Sequence, residues 1–372
     1  MRASVHIADR SELRRRLEEE ISLYGPNCDL NHLDVSSVTQ MFSLFSGSNF
    51  NGDISQWDVG AVECMDAMFE FCPFSGDLSR WDVHEVDSMA RMFKGSHFSG
   101  DLSKWDVSNV QSMTAMFSHS HFNGNVANWV FNLAVDLDHL FAYCPFNGDV
   151  SDWNVSNIRS MIGTFEGSSF NGDISRWDVS QVSTFAAMFK ASSFNSDISS
   201  WRVTRADNML EMFAGSTFQG DISNWDFSKI KELRRMFKNA AFSGDMSSVE
   251  LRNYSTFSDM FDKDFQGVLP ISGKMSDRFK TYGYMIGGAA ALRGYLKIAP
   301  FNTVHADVLM GATKKPIWLN AKDYAWAKEQ EQIAQSLGVE PAALRHLLVQ
   351  NYRLKKDGLL ALPELDTSPS AM

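Results

Sequence analysis

Long apolar runs are missing from this chain. No uncharged apolar stretch of about 18 residues occurs in its 372 residues. The opening segment MRASVHIADRSELRRRLEEE has no apolar core of the kind a secretory signal needs. The sequence thus offers no route through a membrane. Cysteine is scarce as well. Cys28, Cys64, Cys72 and Cys144 form no CxxC pair and no Cys/His ligand spacing, which argues against a disulfide framework and a zinc site. They read as reduced core thiols of a cytoplasmic protein. No P-loop, G-x-G-x-x-G stretch or ordered Ser/His/Asp set is found. The nine histidines are scattered, and the tightest pair, His119 and His121, has no carboxylate or cysteine cluster beside it. Catalysis has no candidate residue, so the expectation is a protein that is not an enzyme and holds no cofactor or metal.

What is present is a folded composition, 44% hydrophobic, with a formal net charge of −11. The charge is uneven. Residues 27–265 hold 16 Lys+Arg against 31 Asp+Glu, while residues 266–372 hold 13 against 9. The middle of the chain is acidic and the end mildly basic.

The strongest signal is a repeat. Tryptophan falls at 57, 81, 105, 129, 153, 177, 201 and 225, always 24 residues apart. Phenylalanine follows 12 residues later at 69, 93, 117, 141, 165, 189, 213 and 237, and the same register takes in Phe45 and Phe261. Ten rungs result, of which the outermost two lack Trp. Trp57 and Val59 are two apart, as on one face of a strand; Val62, Met65, Met68 and Phe69 step by three or four, as along a helical turn. Each rung is therefore expected to be a strand, a turn and a short helix. Ser108, Ser156 and Ser180 stand where helix N-caps would, and Phe-Asn-Gly-Asp closes the rung with a turn whose Gly supplies positive φ. The methionines at 65, 89, 113, 161 and 209 are spaced as core, not as a thioether metal stripe. One rung cannot bury its own aromatics, so the rungs must stack, giving a solenoid about 45 Å long.

The phrase F-[NS]-G-D-[IL]-S-x-W-D-V-S-x-V-x-x-M-x-x-M-F resembles the BspA-like leucine-rich repeats of bacterial surface proteins, in the variant abundant in mycoplasmas. That resemblance covers residues 27 to about 265. It implies a right-handed solenoid that binds other molecules without catalysis, many such proteins being exported and implicated in adhesion.

The ends differ from the array. Asp9 and Glu12 have capping-box spacing, and Leu13, Leu17 and Ile21 share a helical stripe, so residues 1–26 are expected to form a helical cap. Beyond residue 265 the Trp pattern stops. Asn320 can cap a helix to Leu337, Gly338 ends it, and Pro341 suits the first turn of another. This junction resembles a helix-turn-helix, which would turn Arg345, His346, Gln350, Asn351 and Arg353 toward a nucleic-acid groove. The acidic array opposes that use, because phosphate would be repelled.

Function is then sought on the solenoid surface. The Asp columns at 53, 77, 101, 149, 173, 197, 221 and 245 and at 58, 82, 106, 178 and 226 are expected to serve turns and the outer strand face, the latter beside Arg80, Lys104 and Arg176, with calcium binding as the alternative. Val130, Asn154 and Arg202 break the second column, and Val130 with Phe131 and Asn132 suggests an apolar patch. The sequence-level expectation is an α/β protein: a leucine-rich-repeat solenoid of ten 24-residue rungs (27–265), capped at 1–26 and followed by a small, mainly helical domain (266–372). It would bind a protein with a basic face through Asp82, Lys104, Asp106, Val130, Asn132, Asn154, Arg176, Asp178 and Arg202. The alternatives are an effector or adhesin exported without a signal and a regulator with a DNA-binding tail.

Overall fold

The computed structural model describes residues 3–133, 135–244, 246, 250–251, 256–262 and 271–272. The chain divides into two units, Met1–Gly244 with Tyr254–Asp262 and Asp245–Asn253 with Lys263–Met372.

Side-chain-capped turns set the path of each rung in the first unit. Oδ1 of Asp53 accepts the Ser55 N–H at 2.9 Å. Asp77, Asp101, Asn125, Asp149, Asp173, Asp197 and Asp221 repeat this bond at 2.8–3.0 Å. Such Asx turns reverse the chain without a helix or ladder. Later in the rung a second set follows: Asp106, Asn154, Asp178 and Asp226 accept from the N–H of Ser108, Ser156, Ser180 and Ser228 at 2.8–3.1 Å. Ser108, Ser156 and Ser180 are therefore donors to an Asx turn, not N-caps.

The stretch expected to be helical takes another path. From Met65 onward alternate N–H groups point at the next rung: Met65 donates to Ser88 O, Ala67 to Ala90 O, Phe69 to Met92 O and Phe71 to Lys94 O, at 2.7–2.9 Å. The groups between them close local turns, Met68 to Met65 O, Glu70 to Ala67 O and Cys72 to Phe69 O, at 3.1–3.2 Å. Ala67 and Phe71 have φ of 53°, where the third residue of a turn needs positive φ. Tight turns of this kind also bring every third or fourth side chain inward, which is why the spacing mimics a helix. Among the described rung residues the one helical piece is a 3-10 turn at Phe227–Lys229.

Successive rungs lie parallel, each shifted from the last by one full repeat. Isolated bridges join Gln40, Cys64, Ser88, Ser112 and Asp136 in one series, and Ser160, Thr184, Asn208, Glu232 and Thr256 in another. The pairing expected at Trp-x-Val is replaced there by the side chain itself. The indole Nε1 of Trp57 donates to Leu30 O, and those of Trp81, Trp105, Trp129, Trp153, Trp177, Trp201 and Trp225 donate to the carbonyl 27 residues earlier, all at 3.0–3.2 Å.

Inside, the aromatic rings stack in columns. Phe45 and its successors to Phe261 follow one another at 5.4–5.9 Å between centroids, each in a nearly parallel plane. A second Phe column starts at Phe50 with spacings of 6.0–6.4 Å. Glycine in Phe-Asn-Gly-Asp serves this packing, not positive φ. A Cβ on Gly172 would sit 2.8 Å from the Phe170 ring, and one on Gly124 would run into the Gly100 carbonyl. Asn side chains tie the same corners together, with Asn123, Asn147 and Asn171 each accepting from the N–H one rung later at 2.7–2.9 Å.

The N-terminus closes one end. Helix α1 (Arg10–Tyr24) is capped by Asp9, whose Oδ1 accepts the Glu12 N–H at 2.9 Å, while Glu12 reaches back to the Ala8 N–H. Leu13 and Leu17 are buried and Ile21 is half-buried. A piece the sequence reading missed is strand β1 (Val5–His6), which pairs in parallel with β2 (Leu33–Asp34) and lies next to the buried Ile7. In the second unit β3 (Glu250–Leu251) pairs in parallel with β4 (Ile271–Ser272). The helices expected between residues 320 and 353 lie outside the described residues.

Three outcomes test this construction. Trp177→Phe leaves the buried Val150 carbonyl without its donor, and should cost about 2–4 kcal/mol in urea unfolding. Gly124→Ala should destabilise more than Gly172→Ala, because a backbone carbonyl yields less than a ring edge, and thermal melts of the two variants rank them. Hydrogen bonds from the turn N–H hold Asp53, Asp77, Asp101, Asp149, Asp173, Asp197 and Asp221 below the ordinary carboxylate value. Their stabilisation is present above a pH of about 4 and is lost as the pH falls through the lowered values. Asn125 already fills this role, so replacing the seven with Asn should preserve the melting temperature at pH 7 and flatten its fall in acid.

Candidate surface site

The inward positions of a rung are occupied by the stack, so function is sought on what faces out. Asp82, Lys104, Asp106, Val130, Asn132, Asn154, Arg176, Asp178 and Arg202 are all exposed. Apart from Asn132, they stand immediately before or after a buried Trp. The Trp rings of the pairs 57 and 81, 129 and 153, 153 and 177, and 201 and 225 stack with centroids 6.0–6.4 Å apart. Asp34, Asp58, Asp82 and Asp106 occupy one outward place in four consecutive rungs. Turn hydrogen bonds from Ser36 and Ser108 hold Asp34 and Asp106 below the usual carboxylate range, so both are charged at neutral pH. His84 bonds Asp82 at 2.9 Å, and its pKa is raised first by that hydrogen bond.

The cations named beside this column also act on the first column. Arg80 and Lys104 help hold Asp77 and Asp101 down, and Arg176 acts on Asp149 and Asp173, all members of the first column. Arg176 also pairs with Asp152 at 3.0 Å. On the outward column itself Arg202 acts on Asp178, and His84 acts on Asp82 and Asp106. Oδ1 of nearly every Asp in both columns is committed to a turn N–H, and among the described residues no group of three or more His, Cys, Asp or Glu is arranged to hold a metal ion.

The rung of Trp129 departs from the rest. Val130 replaces the Asx-turn acceptor, and the sequence has Ala134 at the place held by Val62, Val86, Val110, Ile158, Val182, Ala206 and Ile230 in the other rungs. Val135 is buried, although its counterparts Glu63, Asp87 and Gln111 are exposed. The backbone bond shifts with it: the N–H of Asp136, one residue late, donates to Gln111 O at 2.9 Å. The bridge series then breaks between Asp136 and Ser160 among the described residues. Val130 and Leu133 are left 55% and 41% exposed. Phe131 is not part of that patch. It fills the inward place held elsewhere by Val59 and meets the Trp153 ring edge-on at 5.0 Å.

Sequence reading also missed a polar cluster on the face made by the positive-φ turns. Glu166, almost fully buried, accepts from Tyr143 Oη at 2.9 Å and lies 3.4 Å from Lys190 Nζ. Lys190 pairs with Glu211 at 2.8 Å, and Glu211 with Arg235 at 3.1 Å. Gly163 and Gly167, at φ of 58° and 63°, leave space for His139 and the Tyr143 ring. The one sequence sign was Gly163, which stands where the other rungs carry side chains. Burial pushes the Cys144 thiol up to about 11, and Cys72 is raised for the same reason. Arg345, His346, Gln350, Asn351 and Arg353 lie outside the described residues.

No curated protein and no solved structure matches this chain. A family described as "Mycoplasma protein of unknown function, DUF285" matches at residues 21–129, 118–218 and 190–268, about two thirds of the chain in all. The matches begin at 21, 118 and 190, steps close to whole numbers of rungs, so the family's unit is itself a run of rungs. The chain belongs to this Mycoplasma DUF285 repeat family.

Proposed function

We propose that the stacked rungs are a leucine-rich-repeat solenoid of the BspA-like kind and act as a non-enzymatic scaffold in the cytoplasm that binds a protein with a basic face. The observation that carries this reading is the contrast between the two sides of a rung. Inward places keep Trp and Phe through eight or more rungs, whereas the outward place after Trp, or after Leu33 in the first rung, runs Asp34, Asp58, Asp82, Asp106 and then changes to Val130 and Asn154. Four carboxylates set one rung apart suit Lys or Arg side chains on an extended or helical segment. Charge of one sign on a rigid surface speeds encounter and selects partners more than it adds affinity.

The apolar Val130 at the end of the acidic run supplies what charge does not. Interfaces draw most of their binding energy from a few desolvated side chains, with charged groups at the rim. The acidic run and Val130 together form such an arrangement on one face. Binding through this face should weaken as salt rises, since the carboxylates are solvent-exposed.

The test is affinity capture from native lysate with the full chain, compared with a variant carrying Asp58→Asn, Asp82→Asn and Asp106→Asn. Each Asn keeps its turn, as Asn154 does, while removing the charge. A protein retained by the first and lost from the second supports the reading. Equal capture by both, or none by either, contradicts it.

A further inference from the structure

A different face of the same rungs carries a pattern unrelated to the Asp column. Four places after each Trp the exposed residues run Ala61, Glu85, Asn109, Leu133, Asn157, Gln181, Arg205 and Lys229, with Gln181 half-exposed. Six places after Trp they run Glu63, Asp87, Gln111, then the buried Val135, then Arg159, Ser183, the half-exposed Asp207 and Lys231. The first two rungs of this edge are acidic, the middle is apolar, amide or hydroxyl apart from the exposed Arg159, and the last two are net basic. Among the described residues Arg205 and Lys229 make no ion pair, and Lys231 pairs with Asp207 at 3.2 Å.

Such an edge is complementary to itself when reversed. A two-fold axis lying in the contact plane, perpendicular to the stack, sets a second copy antiparallel while keeping each column opposite itself. With the axis between the Trp129 and Trp153 rungs, Glu85 faces Arg205, Glu63 faces Lys231, and Lys229 lies between Glu63 and Glu85. Asp87 falls opposite Asp207, whose carboxylate is already paired within its own chain by Lys231. Asn109 and Gln111 then meet Gln181 and Ser183. The two Leu133 side chains fall one rung apart beside the axis, where each covers exposed apolar surface of the other. The axis also falls where the bridge series is interrupted between Asp136 and Ser160.

We infer that this edge is the interface of an antiparallel homodimer. Eight rungs at about 4.8 Å by about 15 Å of width bury roughly 1,200 Å² in total, the lower end of specific interfaces, so the dimer is weak and dependent on concentration. The occupant is a second copy because the charges at the two ends recur in the order that reversal requires, with Leu133 at the centre and Arg159 opposite the buried, uncharged Val135. A foreign partner would need to reproduce that order. The inference is independent of the partner proposed for the Asp column.

Charge reversal tests it on the full chain by sedimentation or light scattering. Glu63→Lys with Glu85→Lys and Asp87→Lys makes both ends basic; Arg205→Glu with Lys229→Glu and Lys231→Glu makes both ends acidic. Each variant alone should weaken self-association about tenfold or more, through like charges set face to face. Mixed together, the two should recover a heterodimer, since every basic end then meets an acidic one, and that recovery also shows that both variants are folded. A wild-type chain that stays monomeric at about 100 μM, where a micromolar dimer would be saturated, overturns the inference. So does a dimer indifferent to both reversals, or a mixture that fails to recover, either of which would place self-association on a different surface.

Discussion

A buried carbonyl without a donor costs about 1–3 kcal/mol, and in each rung from Trp57 to Trp225 one such carbonyl is met by an indole N–H from the rung that follows. That bond fixes the rest. Donor and acceptor are 27 residues apart, so an added or lost residue between them would strand both. The ring that carries the donor also packs near the Phe of the preceding rung, as Trp177 does on Phe165, and Trp177 stacks on the preceding Trp153 as well. Polar satisfaction and apolar burial are therefore delivered by one side chain, which accounts for a register maintained without insertion through eight rungs. The Asx turns then need only reverse the chain at fixed places, and small donors such as Ser and Gly two places beyond each Asp suit that geometry.

Much of this was legible in the sequence because it rests on spacing. The period, the inward Trp, Phe and Met, the capping box at Asp9 and the turn role of the first Asp column follow from residue intervals and ordinary side-chain chemistry. What was not legible depends on where backbone N–H groups go. Val62, Met65, Met68 and Phe69 are spaced as on a helix, yet the N–H groups of Met65 and Ala67 are given to the next rung, which no residue in the repeat announces. Gly in Phe-Asn-Gly-Asp was assigned to positive φ because glycine most often serves that purpose; the close approach of the Phe ring is visible only in three dimensions. Strand β1 was missed because so short a strand, separated from its partner by a helix, leaves no pattern.

The outward residues of the candidate site were named correctly as exposed, but their neighbours in space were not. Arg80, Lys104 and Arg176 adjoin the Asp column by sequence and act on the other one. Phe131 belonged with the core, where its interval from Trp129 is the one that places every equivalent Val. In the distinctive rung Val135 turns inward, Leu133 and Val130 are left outside, and the ladder is interrupted, whereas the rung of Trp201, which also has Ala at the place of Val62, keeps its register. This surface feature sits in the middle of an edge whose charges change sign from one end to the other.

The central claim is that each indole N–H is buried and hydrogen-bonded across rungs, and hydrogen exchange of the tryptophan side chains measures it most directly. The account predicts that the indole N–H groups of Trp81 through Trp201 exchange together and slowly, protected to a free energy of about 5 kcal/mol or more, as for a core that opens only with global unfolding. Exchange of these groups within minutes at neutral pH, or protection that differs widely between adjacent rungs, would contradict it.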